Sequence, residues 1–166
     1  RVILELLKKA GESEADKWQS SGVDDNLLRL VSELNDRVVR DKLTGLYNRH
    51  FIDERLPADL VRATIEGESI AVLFLDLDRF KGINDRYGHA AGDLVLQSMA
   101  DVLRDNLRSE DDWAARLGGD EFLVCLHRAN QGQAIAVAER IRSAMAARRM
   151  EVAGNPVSVS LSIGVA

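Results

Sequence analysis

The sequence predicts an α/β domain, because segments with helical spacing alternate with segments that have the pattern of strands. Residues 70–75 are an unbroken apolar run, which favours a strand buried on both faces. Residues 157–163 alternate apolar residues with serines, a period of two that indicates a strand with one apolar face. Apolar residues recur at helical spacing in residues 95–107 and again in residues 134–145.

Composition is consistent with a single folded domain plus an extension, since 166 residues with 46% apolar content can bury one core of ordinary size. The net charge of −5 offers no general attraction to nucleic acid. No apolar run approaches the roughly 20 residues needed to cross a bilayer, so we expect no membrane contact by this segment and a cytoplasmic location. The chain begins at Arg1, so the parent could carry a sensor or a membrane region upstream.

The first 40 residues differ from the rest and are predicted to form a helical extension. Leu27, Val31, Leu34 and Val38 step by four, three and four, which makes a short seam of coiled-coil type. Two heptads are too few to decide its partner, so packing against its own domain and pairing with another subunit both stay open. The predicted division is residues 1–40 for a linker helix and 41–166 for the main domain.

Asn48 is predicted to cap a helix that runs toward Glu66 and that Pro57 interrupts and could divide in two. In the later helices, apolar residues that share one face are assigned to the core. The single cysteine, Cys125, cannot form an internal disulfide and is expected to be a small core residue without a catalytic role.

Polar residues follow the apolar run at residues 70–75 and predict a ligand site. Asp76 ends the run, Asp78 follows, and Arg79 and Lys81 lie in what reads as a helix start. Free N–H groups at a helix start favour phosphate. Taken singly, Asp78 is better explained as a helix cap and Lys81 as a surface lysine, but the density of polar groups favours a site.

The segment Gly118-Gly119-Asp120-Glu121-Phe122 predicts a tight hairpin with two carboxylates at the bend. Turn chemistry alone fits a metal and polyphosphate site and an ordinary hairpin with a solvated acidic tip about equally. Because acids cluster at the proposed site, a polyphosphate there would need bridging divalent cations.

Several short motifs in order resemble the GGDEF family of diguanylate cyclases. Their order over residues 41–166 makes the signal far more specific than the hairpin alone. The motifs are Asp41-Lys42-Leu43-Thr44-Gly45-Leu46-Tyr47-Asn48-Arg49, Phe74-Leu75-Asp76-Leu77-Asp78-Arg79-Phe80-Lys81, Ile83-Asn84-Asp85, Gly88-His89, Gly92-Asp93, Arg116-Leu117-Gly118-Gly119-Asp120-Glu121-Phe122 and Ser162-Ile163-Gly164-Val165-Ala166.

The resemblance implies a fold and a reaction. The fold is a central, mainly antiparallel sheet flanked by helices, as in nucleotidyl cyclases and polymerase palms, with the N-terminal helix joining an upstream sensor to the domain. The reaction joins two GTP molecules into the bacterial second messenger cyclic di-GMP. Each domain of a homodimer binds one GTP, so a monomer is expected to be inactive.

The resemblance also implies roles for the acids. Asp76 and Asp120 would be side-chain ligands of two Mg²⁺ or Mn²⁺ ions, the carbonyl of Leu77 would add a backbone ligand, and Glu121 would assist the metal or the proton transfer. Asp120 and Glu121 cannot both face one ion from a regular strand. Asp120 is therefore the preferred ligand, and the role of Glu121 stays open between assisting the metal and assisting the proton transfer.

The remaining site residues implied by the resemblance bind the nucleotide. Lys81 and the backbone N–H groups of Arg79, Phe80, Lys81 and Gly82 would hold the β and γ phosphates, while Arg116 is less certain. Asn84 and Asp93 would read guanine, whose N1–H and N2–H donors a carboxylate can accept together, so GTP is expected over ATP. His89 is given a structural hydrogen bond beside Gly88 and no acid/base role.

Two features depart from the family pattern. An Arg-x-x-Asp product-inhibition site is matched by Ser109-Glu110-Asp111-Asp112, which lacks the arginine, and whether Arg108, one place early, reaches the product stays open. Feedback inhibition is therefore expected to be weak or absent. The family also continues past Ala166 into a helix and strand with a Lys and an Arg that contact the phosphates, so the sequence as given could turn over slowly.

Two other functions stay open on the sequence. A catalytically silent GTP-binding or partner-docking domain would keep this fold, although the intact Gly118-to-Phe122 signature weighs against it. A general nucleotidyl cyclase or polymerase-like enzyme would share the carboxylates but would not need Asn84 together with Asp93.

Overall fold

The computed structural model describes residues 38–107, 111–152 and 155–166. Within them lies one five-stranded sheet of β1 (Tyr47–Asn48), β2 (Ile70–Leu77), β3 (Trp113–Gly118), β4 (Glu121–His127) and β7 (Leu161–Val165). The spatial order is β1-β3-β4-β2-β7; only the β1–β3 pair is parallel. The predicted α/β class with a mainly antiparallel sheet is confirmed. The seam at residues 27–38 lies, apart from Val38, outside the described residues.

Helices cover both faces of this sheet and form two apolar clusters. The larger cluster joins alternate residues of β2 and β4 to α3 (His89–Asn106) and α4 (Gln131–Ala147). The smaller one lies under α1 (Arg49–Glu66) and includes Ile52, Trp113 and Cys125. The helical faces that the sequence assigned to the core are buried, with Met99, Ile141 and Met145 fully excluded from solvent.

Helix α1 begins where the sequence predicts, but Pro57 does not divide it. The side chain of Asn48 accepts the N–H of Phe51 at 3.1 Å, and Gly67 ends the helix with φ 69°. Pro57 removes the N–H that would donate to the carbonyl of Asp53. Because Asp53 is exposed, water can satisfy that carbonyl, and the helix continues for 18 residues.

Strand β2 is buried on one face rather than both. Leu73, Leu75 and Leu77 are at most 2% exposed, whereas Phe74 is 53% exposed. Helix α1 packs against β3 and β1 and leaves the second face of β2 partly uncovered. The strand also continues through Asp76 to Leu77, so Asp76 is a paired strand residue and not the residue that ends the strand.

The alternating segment near the C-terminus is divided between two strands. Residues Asn155–Val157 form β6, which pairs with β5 (Met150–Val152), while β7 begins only at Leu161 and pairs with β2. Burial still alternates, since Val157, Val159 and Leu161 are buried and Ser158 and Ser160 are exposed. The period of two is therefore a property of the extended chain, and pairing partners decide where a strand stops.

Candidate active site

Three carboxylates meet at one end of the β2–β4 pair. Asp76 lies directly opposite Glu121 in the antiparallel register, so both side chains leave the same face of the sheet. Asp120 lies in the turn immediately before β4. The pKa of Asp76 is raised above its usual value by partial loss of solvent and by the negative charges of Asp120, Glu121 and Asp78. The acids that the sequence singled out are therefore neighbours in space.

The placement of Asp120 changes one premise of the sequence argument. Asp120 is a turn residue, so the alternation of side chains along a strand does not separate it from Glu121. Both carboxylates act electrostatically on Asp76. The geometry thus allows both acids to serve the same site.

Arg116 on β3 holds the acidic turn and is itself paired with Asp41, which lies outside the hairpin. Gly118 and Gly119 have φ values of 148° and 56°, which side chains rarely adopt. Arg116 donates from Nη2 and Nε to the Gly119 carbonyl at 2.7 Å and 3.0 Å. Its Nη1 lies 3.2 Å from Asp41 Oδ1. Arg116 therefore restrains the turn that carries Asp120, a different role from the phosphate contact considered above.

Asp41 is itself fixed by Thr44. The Thr44 hydroxyl and N–H both donate to Asp41 Oδ1, at 2.6 Å and 2.9 Å. The pKa of Asp41 is lowered, since hydrogen bonds from Thr44 and the charge of Arg116 outweigh the opposing effect of partial burial. Sequence reasoning assigned Asp41 no role, although an Asp followed three residues later by Thr is a local hydrogen-bonding signal.

Asp78 is held by the C-terminal strand region and does not cap a helix. Its carboxylate accepts the hydroxyls of Ser160 at 2.5 Å and Ser162 at 2.7 Å. These two bonds lower its pKa below the usual value. Ser160 and Ser162 were read only as the polar face of a strand, and nothing local pairs them with a residue more than 80 positions earlier.

Helix α2 (Phe80–Tyr87) starts beside these acids, as predicted. Arg79 is its N-cap, with φ 59° and no side-chain capping bond. The N–H of Gly82 donates to the Arg79 carbonyl at 2.9 Å, so this N–H, which the sequence reasoning offered to phosphate, already has a partner. Lys81 is exposed at the first turn.

The two proposed base-reading positions are brought together at the corner between α2 and α3. A Cβ built on Gly92 would lie 2.1 Å from Asn84 Oδ1, so the Asn84 amide rests against the backbone of the residue before Asp93. Asp93 is exposed on the first turns of α3. Gly92 is needed here for space rather than for an unusual φ.

Two open grooves adjoin Asp76. One of about 940 Å³ runs past Asp78, Arg79 and Gly82 to residues 156–160. The other, about 410 Å³, lies on the Glu121 side and includes Arg49 and Phe74. Asp76 thus lies between two spaces that open to solvent.

The domain was compared with known proteins. The family model "Diguanylate cyclase, GGDEF domain" matches residues 38–166. The chain belongs to this family. Diguanylate cyclase TpbB of Pseudomonas aeruginosa is 45% identical over 154 residues, covering 92% of this chain and 34% of TpbB. Diguanylate cyclase DosC of Escherichia coli is 38% identical over 146 residues, covering 84% of this chain and 32% of DosC.

Solved GGDEF structures share the fold of this domain. The coiled coil and GGDEF domain of DgcB from Caulobacter crescentus, solved in complex with c-di-GMP, superposes with a TM-score of 0.78 at 28% identity. The match covers 92% of this chain and 81% of that one. The chain spans about a third of the curated relatives it matches. Within the described part of this GGDEF domain, no helix is both long enough and apolar enough to cross a bilayer.

Other sequence predictions for this GGDEF domain have mixed outcomes. Cys125 is buried, and burial with the nearby charges of Asp59 and Asp112 raises its pKa to about 12, so the thiol is protonated at neutral pH. His89 is exposed, and its structural hydrogen bond stays a prediction.

The structure describes part of the segment that replaces the inhibitory motif. Residues 108–110 lie outside the described residues, and Arg108 with them. Asp111 lies 3.3 Å from Arg128, and Asp112 Oδ1 accepts the N–H of His127 at 2.9 Å. Weak feedback inhibition stays a prediction.

Proposed function

We propose that this GGDEF domain condenses two GTP molecules into cyclic di-GMP and two pyrophosphates. In each half-reaction a 3′-oxygen forms a bond to the α-phosphorus of the other GTP, and the bond from that phosphorus to the β-phosphate bridging oxygen breaks. The proposal is supported above all by the meeting of Asp76, Asp120 and Glu121 at one end of the β2–β4 pair, in a family whose relatives are named diguanylate cyclases.

The acidic cluster suits divalent metal. Partial burial and the neighbouring negative charges raise the pKa of Asp76, and a hard divalent cation would offset those charges. Asp76, Asp120 and the carbonyl of Leu77 would hold two Mg²⁺ or Mn²⁺ ions, which when bound would offset phosphate charge and acidify the attacking hydroxyl. Glu121, on the same face as Asp76, would take part as a further oxygen ligand or accept the hydroxyl proton.

The start of α2 would hold the triphosphate. The N–H groups of Arg79, Phe80 and Lys81 and the Lys81 ammonium supply positive charge next to the acids. The N–H of Gly82 donates to the Arg79 carbonyl, so Gly82 would serve only by having no side chain to obstruct the phosphates. Asp78 and its serine partners would keep the β2–α2 connection in place while the phosphates bind.

Guanine would be read at the α2–α3 corner. The Asn84 amide and the Asp93 carboxylate can together accept and donate along the guanine edge. An adenine there would leave a polar group unpaired once the bound base covers it, at about 1–3 kcal/mol, so GTP is expected to be preferred over ATP.

Catalysis would need two copies of the domain. Each copy binds one GTP, and the two nucleotides meet across a two-fold axis. Diluting the protein should therefore lower the activity per mole of protein, and a constant specific activity over the dilution series would contradict the dimer requirement. The N-terminal segment, joined to an upstream sensor, would regulate that encounter.

Product analysis tests the proposal. The parent protein is incubated with GTP and Mg²⁺, and the products are separated by chromatography and identified by mass. Asp120→Ala should lower cyclic di-GMP formation by more than about 100-fold, because it removes a metal ligand. Asp105→Ala, an exposed acid on α3, is the matched control and should keep activity. GTP bound but unchanged at high protein concentration would instead support a silent GTP-binding domain.

A further inference from the structure

A second cluster of metal-binding side chains lies away from the carboxylates, beneath α1. It consists of Asp59 on α1 with Cys125 and His127 on β4, and their ligand atoms all lie within 4.8 Å of one another. Asp59 is 2% exposed, Cys125 is fully buried, and the His127 side chain is 5% exposed. Nothing in the proposed reaction uses these residues.

The imidazole of His127 lacks a partner that would explain its burial. Both ring nitrogens are buried, and neither makes a hydrogen bond. Nε2 lies 3.3 Å from Asp59 Oδ2, within ion-pair distance but outside hydrogen-bond geometry. A buried polar group without a hydrogen bond costs about 1–3 kcal/mol. A cation that accepts the nitrogen lone pair would remove that cost.

We propose that Asp59, Cys125 and His127 bind one thiophilic divalent cation of the Zn²⁺ type. Zinc takes thiolate sulfur, imidazole nitrogen and carboxylate oxygen, whereas Mg²⁺ disfavours sulfur, and the Cys125 thiol proton is released to solvent when the ion binds. Cys125 and His127 are two residues apart on β4 and so project from the same face of the sheet, toward α1. Three protein ligands leave one tetrahedral position for water.

Two arginine side chains pair with Asp59 and would have to move when an ion binds. Arg55 Nε lies 3.0 Å from both Asp59 oxygens, and Arg62 Nη2 lies 3.5 Å from Oδ1. These arginine side chains are 33% and 42% exposed, so either can swing into solvent when the ion binds. Trp113 Nε1 donates to Asp59 Oδ2 at 2.9 Å and would orient the carboxylate as an outer partner of the metal.

The ion would tie α1 to the sheet at a distance from the catalytic end. Cys125 lies four residue steps beyond Glu121, about 13 Å along β4. Helix α1 also carries Arg49, which lines the groove beside Asp76 and Glu121. The site would therefore stabilise the α1–β4 contact and the position of α1, and it would bind its metal without any nucleotide.

Cobalt substitution gives a direct test, because Cys125 is the only cysteine of the chain. The full chain is purified under reducing conditions, stripped of metal and titrated with Co²⁺ while thiolate-to-cobalt charge-transfer absorption is recorded. The expected result is one Co²⁺ per chain with that absorption, reversed by added Zn²⁺ and unaffected by Mg²⁺. A folded protein without the absorption in excess Co²⁺ would overturn the proposal.

Variants identify the ligands. Cys125→Ala should abolish the charge-transfer band, and His127→Gln should weaken Zn²⁺ binding by at least about 100-fold, more than the loss of an outer partner. His50→Gln is the control, since His50 is an exposed histidine on α1, the helix that carries Asp59. Zn²⁺ should raise the Tm of the wild type and of His50→Gln but not of Cys125→Ala. A band that survives in Cys125→Ala, or equal Zn²⁺ affinity in His127→Gln, would refute the assignment.

Discussion

Replacing Gly92 by alanine should disable the proposed guanine site without touching a proposed metal ligand. The new Cβ would lie 2.1 Å from Asn84 Oδ1 and 3.0 Å from Phe80 Cζ. The first contact must lengthen by more than about 1 Å to reach ordinary van der Waals separation. The Asn84 amide therefore has to leave its position, and so does the edge of the Phe80 ring.

The structure sets the size of two separate effects. Overpacking here should cost about 1 kcal/mol of folding free energy, since the closest atom is the end of a side chain that can rotate away. Displacing the amide removes its hydrogen bonds to guanine, worth about 1–3 kcal/mol, or roughly 5- to 150-fold in GTP affinity. The preference for GTP over ATP should fall together with the GTP affinity.

Calorimetric titration with GTP and with ATP, together with thermal unfolding, measures both effects. Gly132→Ala on α4 is the matched control, because the nearest atom to its Cβ is Asn130 Oδ1 at an ordinary 3.5 Å. Adding Asn84→Ala to Gly92→Ala should raise the Tm again, since the closest clashing atom is gone and only the Phe80 contact remains, but should not restore the GTP affinity. Wild-type GTP affinity and selectivity in Gly92→Ala would refute the reasoning.

Three further predictions concern the acids. Asp41→Asn should lower the kcat of the cyclase by about 10-fold with little change in KM, because Arg116 loses a charged partner and holds the turn less firmly; an unchanged kcat would contradict this. The pKa of Asp78 is lowered in the folded state, so its stabilisation is present above pH 4 and is lost as pH falls through the lowered pKa. Urea unfolding of Asp78→Asn should therefore differ from wild type at pH 7, and the difference in unfolding free energy should shrink as the pH falls below about 4, whereas a constant difference would count against the serine contacts. Because neighbouring carboxylates and partial burial raise the pKa of Asp76, Mg²⁺ should increase the Tm of wild type more than that of Asp76→Asn, and equal increases would argue against a metal at this acid.

Features that depend on adjacent residues were predictable. Asn48 caps its helix by accepting the N–H of Phe51, three residues later. The two glycines of the hairpin have positive φ values, which a Gly-Gly pair in a tight turn predicts. The helical periodicities also hold, because a face that is apolar along one helix must be buried somewhere. Asp76 and Asp120 were also recognisable locally, because each is a polar residue next to an apolar strand segment.

Features that depend on distant partners were not predictable from local pattern. The alternation at residues 157–163 extends over two strands, because β5 and β2 supply different partners. The hydrogen bonds of Asp78 could not be read from its neighbourhood, since its serine partners lie more than 80 residues away. Gly92 carries no sign in its neighbourhood that Asn84 lies against it.

The chain's short motifs, each read from consecutive residues, were sufficient for the fold class and the GGDEF family. Strand register and helix packing then brought Glu121 opposite Asp76, linked Arg116 to Asp41 and buried His127 beside Asp59. The physical reason for this division is the separation along the chain over which each kind of interaction acts. Turn, cap and periodicity signals act over a few residues, whereas contacts between side chains separated by 45 or more residues exist only once the sheet has paired and the helices have packed.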